Sequence, residues 1–90
     1  MKLNRMMRKA RGEQSRASVA RAVGCSYQHI YDIEADEASP SIELVEKLAR
    51  VLKNPNLAVA VLLKEIKKTK KRLSWLEKRL SVWQRKASRT

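Results

Sequence analysis

Four polar side chains are expected to project from the start of one short helix, and their chemistry suits hydrogen bonding to a flat polar edge. They are Tyr27, Gln28, Tyr31 and Asp32, which follow Ser26 in the chain. The Gln28 amide offers a donor beside an acceptor, the pair that matches N6 and N7 of adenine. The Asp32 carboxylate only accepts, so it suits the N4 amine of cytosine but repels phosphate. These residue types point to the edges of nucleic-acid bases.

The charge of the chain also points to a polyanion. The net charge is +12 over 90 residues. Residues 1–31 carry seven Lys/Arg against one acid, residues 32–56 carry three against six, and residues 57–90 carry eleven against two. Two basic segments therefore flank an acidic middle. Such an excess favours nucleic acid as the partner, with an anionic membrane second.

Catalysis and metal binding find little support in the sequence. There is one histidine, one cysteine, no glycine-rich phosphate loop and no paired His/Cys spacing. We therefore predict no enzyme activity, no cofactor and no metal site. A lone cysteine fits a reducing cytoplasm, and neither a signal peptide nor a membrane-spanning apolar run is expected.

Apolar spacing and capping residues predict four short helices in the first half of the chain. The central pair forms a helix-turn-helix, with Gly24 in the tight turn and Ser15 and Ser26 as N-caps. A loop ending in Ser39-Pro40-Ser41 precedes the fourth helix. The residues expected to hold this motif together through their inward faces are Val19, Ala20, Val23, Ile30 and Ile33.

The second half of the chain is predicted to form one long helix. Residues 57–85 contain no Gly and no Pro, and apolar residues recur at alternating steps of three and four. Such a heptad pattern favours a parallel coiled-coil homodimer. The alternative is an amphipathic helix that folds back on its own domain. The predicted seam consists of Val59, Leu62, Ile66, Thr69, Leu73, Leu76, Leu80 and Trp83.

The spacing from about Leu3 to Leu52 resembles the lambda-repressor-like (Cro/XRE-type) helix-turn-helix family. The resemblance is carried by Ala20, Gly24, Ser26, Ile30, Ile33-Glu34, Pro40-Ser41 and Leu44. It implies an all-α, five-helix helix-turn-helix domain, and the heptad pattern described above extends its last helix into a coiled coil. We divide the chain into a DNA-binding domain over 1–56 and a basic dimerisation helix over 57–90. The implied function is a sequence-specific transcriptional regulator, a repressor, which binds a palindromic double-stranded operator as a dimer.

The resemblance also implies roles for individual residues. The residues expected to read bases are Tyr27, Gln28 and Asp32, which match the first, second and sixth positions of the family's recognition helix. Arg8 aligns with the arginine that pairs with the glutamate ending that helix, here Glu34. Phosphate contacts are expected from Ser15, Arg16, Ser26, His29, Tyr31 and Ser39.

Three features depart from the family pattern. The turn between the first two helices is one residue longer, Gln14 replaces an apolar residue, and Asp36 replaces a common glycine. Asp36 and Glu37 also put acid in a loop that commonly approaches phosphates. Two alternative functions therefore stay open: an interaction module whose basic C-terminal helix binds an acidic protein, such as a polymerase subunit or a toxin, and a nonspecific architectural nucleic-acid binder.

Overall fold

The computed structural model describes residues 2–69 and 74–89, and in these ranges every regular element is an α-helix. The predicted all-α class is confirmed, but the described residues form six helices where five were predicted. The helices are α1 (Leu3–Arg11), α2 (Arg16–Val23), α3 (Tyr27–Glu34), α4 (Ile42–Val51), α5 (Asn56–Thr69) and α6 (Ser74–Ser88).

Side-chain caps define where the short helices begin. The Oγ atoms of Ser15, Ser26 and Ser41 accept hydrogen bonds from backbone N–H groups inside α2, α3 and α4, at 3.0, 3.1 and 3.2 Å. Each cap satisfies a donor that has no partner within its own helix. Gly24 ends α2 with φ = 78°, a left-handed conformation that costs glycine least. The helix-turn-helix of α2 and α3 therefore forms where the sequence places it.

One hydrophobic core joins the helix-turn-helix to the rest of the fold. Helix α4 packs against α2 and α5, and α1 packs against α3 and α5. The core includes Leu57, Ala58 and Leu62, so the first half of α5 packs as part of this domain. The inward residues of α2 and α3 lie in the same core, namely Val19, Ala20, Val23, Ile30 and Ile33.

The C-terminal half differs from the predicted single helix. Helix α5 ends at Thr69, α6 begins at Ser74, and the two pack against each other. Because so short a segment separates two helices in contact, they form an antiparallel hairpin. Trp83 of α6 is 3% exposed, and its Nε1–H donates to Oε2 of Glu46 on α4 at 2.8 Å. Helix α6 thus folds back onto its own domain.

The residues assigned to a dimer seam are consequently used within one chain. Leu62, Leu76 and Trp83 are buried, and Val59, Ile66 and Leu80 are half-buried against the same core. Leu73 and the side chain of Thr69 lie outside the described residues. The predicted continuous coiled coil is not confirmed, because the antiparallel hairpin buries the same heptad-spaced stripe within one chain.

Candidate nucleic-acid interface

The outer face of α3 is polar and accessible. Tyr27 is 49% exposed and Tyr31 is 44% exposed, although both are aromatic. On the opposite face Ile30 and Ile33 are buried at 0% and 2% exposure. Burial of these two isoleucines fixes the rotation of the helix about its axis, so its polar side chains face solvent.

Gln28 and Asp32, two of the predicted base-reading residues, are hydrogen-bonded to each other. Nε2 of Gln28 donates to Oδ1 of Asp32 at 2.9 Å, across one turn of α3. The bond links the amide to a fixed neighbour, which limits the rotamers that the exposed Gln28 side chain adopts. Gln28 is exposed, and its amide still has an Oε1 acceptor and a second N–H donor to offer a partner.

A buried carboxylate ends α3 and holds the motif to the preceding helices. Glu34 is 2% exposed. Arg11 of α1 binds both of its oxygens, from Nε to Oε2 at 2.7 Å and from Nη2 to Oε1 at 3.0 Å. Arg16 adds a bond from Nε to Oε1 at 3.1 Å. The two cations compensate the burial of the charge and fix the end of α3 against α1 and α2.

Arg8 occupies a different place from the one the resemblance implied. Its Nη2 donates to the main-chain oxygen of Glu34 at 3.1 Å, whereas Arg11 takes the carboxylate. Arg8 and Arg11 are three residues apart and therefore share one face of α1. The longer turn after α1 is the sequence feature that could have signalled this exchange of partners.

The surroundings of Glu34 set its pKa. Burial acts to raise the pKa of the carboxyl, but the hydrogen bonds and charges of Arg11, and then of Arg16, outweigh it. The pKa of Glu34 therefore lies below its ordinary value, and the side chain is ionised at neutral pH.

Arg16 connects this ion cluster to the exposed tyrosines. Its guanidinium lies over the Tyr31 ring, 5.3 Å from the centroid. The Tyr27 hydroxyl, followed by Glu34, raises the pKa of Arg16. Arg16 thus contacts both the Tyr31 ring and Glu34, and its predicted contact with phosphate stays a prediction.

The remaining predicted phosphate contacts lie at the ends of helices and in the loop after α3. Ser15 and Ser26 accept from the backbone through Oγ, which leaves their hydroxyl hydrogens able to donate. Ser39 is exposed and His29 is half-buried. Asp36 takes φ = 62° after α3, a conformation that Asp tolerates better than most residues.

The geometry defines a small helix-turn-helix module with a solvent-facing recognition helix, and comparison identifies its family. Residues 6–55, more than half of the chain, match a family model described as helix-turn-helix. The chain belongs to the lambda-repressor-like (Cro/XRE-type) helix-turn-helix family of DNA-binding proteins. No curated protein and no solved structure matches it.

Over residues 2–69 and 74–89, no group of three or more His, Cys, Asp or Glu side chains is placed to hold a metal ion. None of the helices in the same ranges is long and apolar enough to cross a membrane.

Proposed function

We propose that this protein is a sequence-specific transcriptional regulator, a repressor, that binds double-stranded DNA as a homodimer with α3 in the major groove. The observation that carries the proposal is the polar, solvent-facing surface of α3 on a chain that belongs to a DNA-binding family. Such a regulator works in the cytoplasm, where prokaryotic DNA is found.

Base reading is assigned to the first turns of α3. Gln28 presents an amide that matches the N6 and N7 edge of adenine, and Asp32 accepts from cytosine N4. Tyr27 precedes them at the tip of the helix and is exposed enough to contact a thymine methyl group. The bond between Gln28 and Asp32 supports this assignment, because a preorganised pair loses less rotamer entropy on binding.

Phosphate contacts are assigned around this surface. The start of α2 presents unpaired backbone N–H groups and the Ser15 hydroxyl, which suit a phosphate oxygen. Arg16 keeps its positive charge there, and its side chain is 31% exposed. The proposed set is completed by Ser26, His29, Tyr31 and Ser39. Such phosphate contacts fix the position of the protein on the DNA and do not read the base sequence.

Dimerisation requires a surface other than the buried seam. Trp75 and Val82 are seven residues apart on α6 and are 47% and 42% exposed. Two turns of a helix separate them, so they lie on one side of α6. We propose that this apolar pair contributes to the two-fold contact, and that the half-sites are about 34 Å apart.

Replacing Gln28 by alanine tests the assignment of base reading. With a DNA site selected by the wild type, Gln28→Ala should lose about 1–3 kcal/mol of discrimination at one base pair per half-site. The matched control is Gln84→Ala, which removes an exposed amide from α6 and should leave discrimination unchanged. Affinities for the selected site and its single-base variants provide the measurement. Equal preferences in Gln28→Ala and wild type would show that α3 does not read bases through this residue.

A further inference from the structure

A groove of about 800 Å³ lies beside the end of α3. Its walls come from the start of α1, the loop between α3 and α4, and the part of α5 from Ala60 to Lys68. Ile33, Asp36 and Ser39 are among its lining residues, which places the groove directly next to the helix assigned to the major groove.

Four basic side chains surround this groove, and we call them the basic rim. Lys2 and Arg5 come from the start of the chain, and Lys64 and Lys68 come from α5. All four are exposed. Within the described part of the chain, no ion pair or side-chain hydrogen bond engages them. Their charge is therefore available to an outside partner, unlike that of Arg11, which is committed to Glu34.

The acids at the groove do not cancel this charge. Asp36 and Glu65 line the same groove, so the basic rim exceeds the lining acids by two charges. Asp36 and Glu37 belong to the loop that directly follows α3, and both are exposed. A loop with two carboxylates repels a phosphate strand, so an attractive contact here has to come from neighbouring elements.

The partner chemistry that fits is the phosphate backbone of double-stranded DNA. A helix in the major groove, which is about 12 Å wide, has a phosphate strand on each side of it. The start of α2 faces one strand in the proposed docking. We propose that the basic rim, together with the Ser39 hydroxyl, binds the phosphates of the other strand, so that α1 and α5 supply the cations that the acidic loop lacks.

This inference rests on the proposed function, since it takes α3 as the reading helix. It also accounts for part of the basic charge of residues 57–90. Neither an exposed coiled-coil surface nor the reading helix explains that charge. An acidic protein is a different partner for the same side chains, and the salt dependence of DNA binding distinguishes the two.

The test compares two double variants of the full chain with the same net charge. Lys64→Gln/Lys68→Gln removes half of the basic rim, and Lys47→Gln/Lys78→Gln removes two exposed lysines from α4 and α6. Each phosphate contact adds about 0.9 to the slope of log K against log salt. The rim variant should therefore reduce the slope by about 1.8 per protomer, or about 3.6 for the proposed dimer, with an affinity loss on the order of a thousand-fold at 0.1 M salt. Its preferred sequence should not change, and the control should keep the wild-type slope.

The possible outcomes separate this inference from the proposed function. If the rim variant and the control have equal slopes while the wild type still binds DNA specifically, the inference is overturned. The basic rim would then be a candidate site for an acidic protein. If the wild type shows no sequence preference, the proposed function fails. A slope lowered by about 1.8 per protomer on random DNA would still support phosphate binding by the basic rim.

Discussion

Glu34→Gln should destabilise the fold by about 3 kcal/mol at pH 7, and should lower the melting temperature by roughly 15 °C. Removal of the buried carboxylate leaves Arg11 and Arg16 without their acidic partner, and the Arg11 side chain is only 15% exposed. We expect the lower end of the range for a broken buried pair, because Arg16 can turn toward solvent. Denaturant unfolding monitored by circular dichroism gives the measurement.

The effect of Glu34→Gln should also depend on pH. Because the pKa of Glu34 is lowered in the folded state, its ion cluster stabilises the fold above the unfolded pKa of about 4.3. This stabilisation is lost as pH falls through the lower folded pKa. The difference between wild type and Glu34→Gln should therefore shrink between pH 7 and acidic solution. The matched control is Glu37→Gln, an exposed acid three residues away, which should change stability by less than about 0.5 kcal/mol at both pH values. A difference that stays constant with pH would contradict the assigned ionisation of Glu34.

Trp83→Ala should cost about 3–5 kcal/mol, because it empties a buried site where α6 meets α4. The substitution also removes the donor to Glu46, whose remaining ion pair to Nε of Arg79 is 3.6 Å long. Trp75→Ala provides the control, since it removes the same side chain from the exposed face of α6. That variant should change the stability of the isolated chain by about 0.5 kcal/mol or less.

The dependence of unfolding on protein concentration distinguishes an α6 that folds back on its own domain from an α6 in a coiled coil between two chains. If Trp83 stabilises its own chain, Trp83→Ala should lose the same free energy in dilute and concentrated samples. If Trp83 lay in a seam between two chains, the loss would follow the association equilibrium and change with protein concentration. Sedimentation of both variants completes the measurement, and a Trp83→Ala protein that dissociates without losing stability would contradict the observed packing.

The helix-turn-helix could be predicted from the sequence because its determinants are local. Ser15 and Ser26 cap helices within three residues of themselves, and Gly24 lies where a left-handed conformation ends α2. The burial of Ile30 and Ile33 follows from their spacing along one helix face. Each of these features needs only the residues next to it, so a single sequence contains the necessary information.

The C-terminal helices could not be predicted in the same way. The heptad pattern specifies a stripe to be buried but not the helix that covers it. The stripe containing Leu76 is covered by the chain's own core. Trp83 offered a partial signal, because a buried indole needs an acceptor and Glu46 is an acid that the preceding domain could provide.

The residue types of the candidate site could be predicted from the sequence. The hydrogen-bond and ion-pair partners of these residues were harder to predict. The exposed polar residues of α3 follow from the inward positions of Ile30 and Ile33. The partner of Glu34 depends on how α1 crosses α3, which the spacing of Arg8 and Arg11 leaves undetermined. Arg16 was predicted as a phosphate ligand, and its bond to Glu34 depends on the same three-dimensional approach.

Selection of binding sites from random double-stranded DNA, by the wild-type chain at 0.1 M salt, shows whether α3 recognises a specific sequence. The salt concentration has to be fixed because nonspecific binding depends strongly on it. We expect enrichment of a palindromic sequence whose half-site centres are about 10 base pairs, or 34 Å, apart. Recovery of DNA without any enriched sequence would contradict sequence-specific recognition by α3.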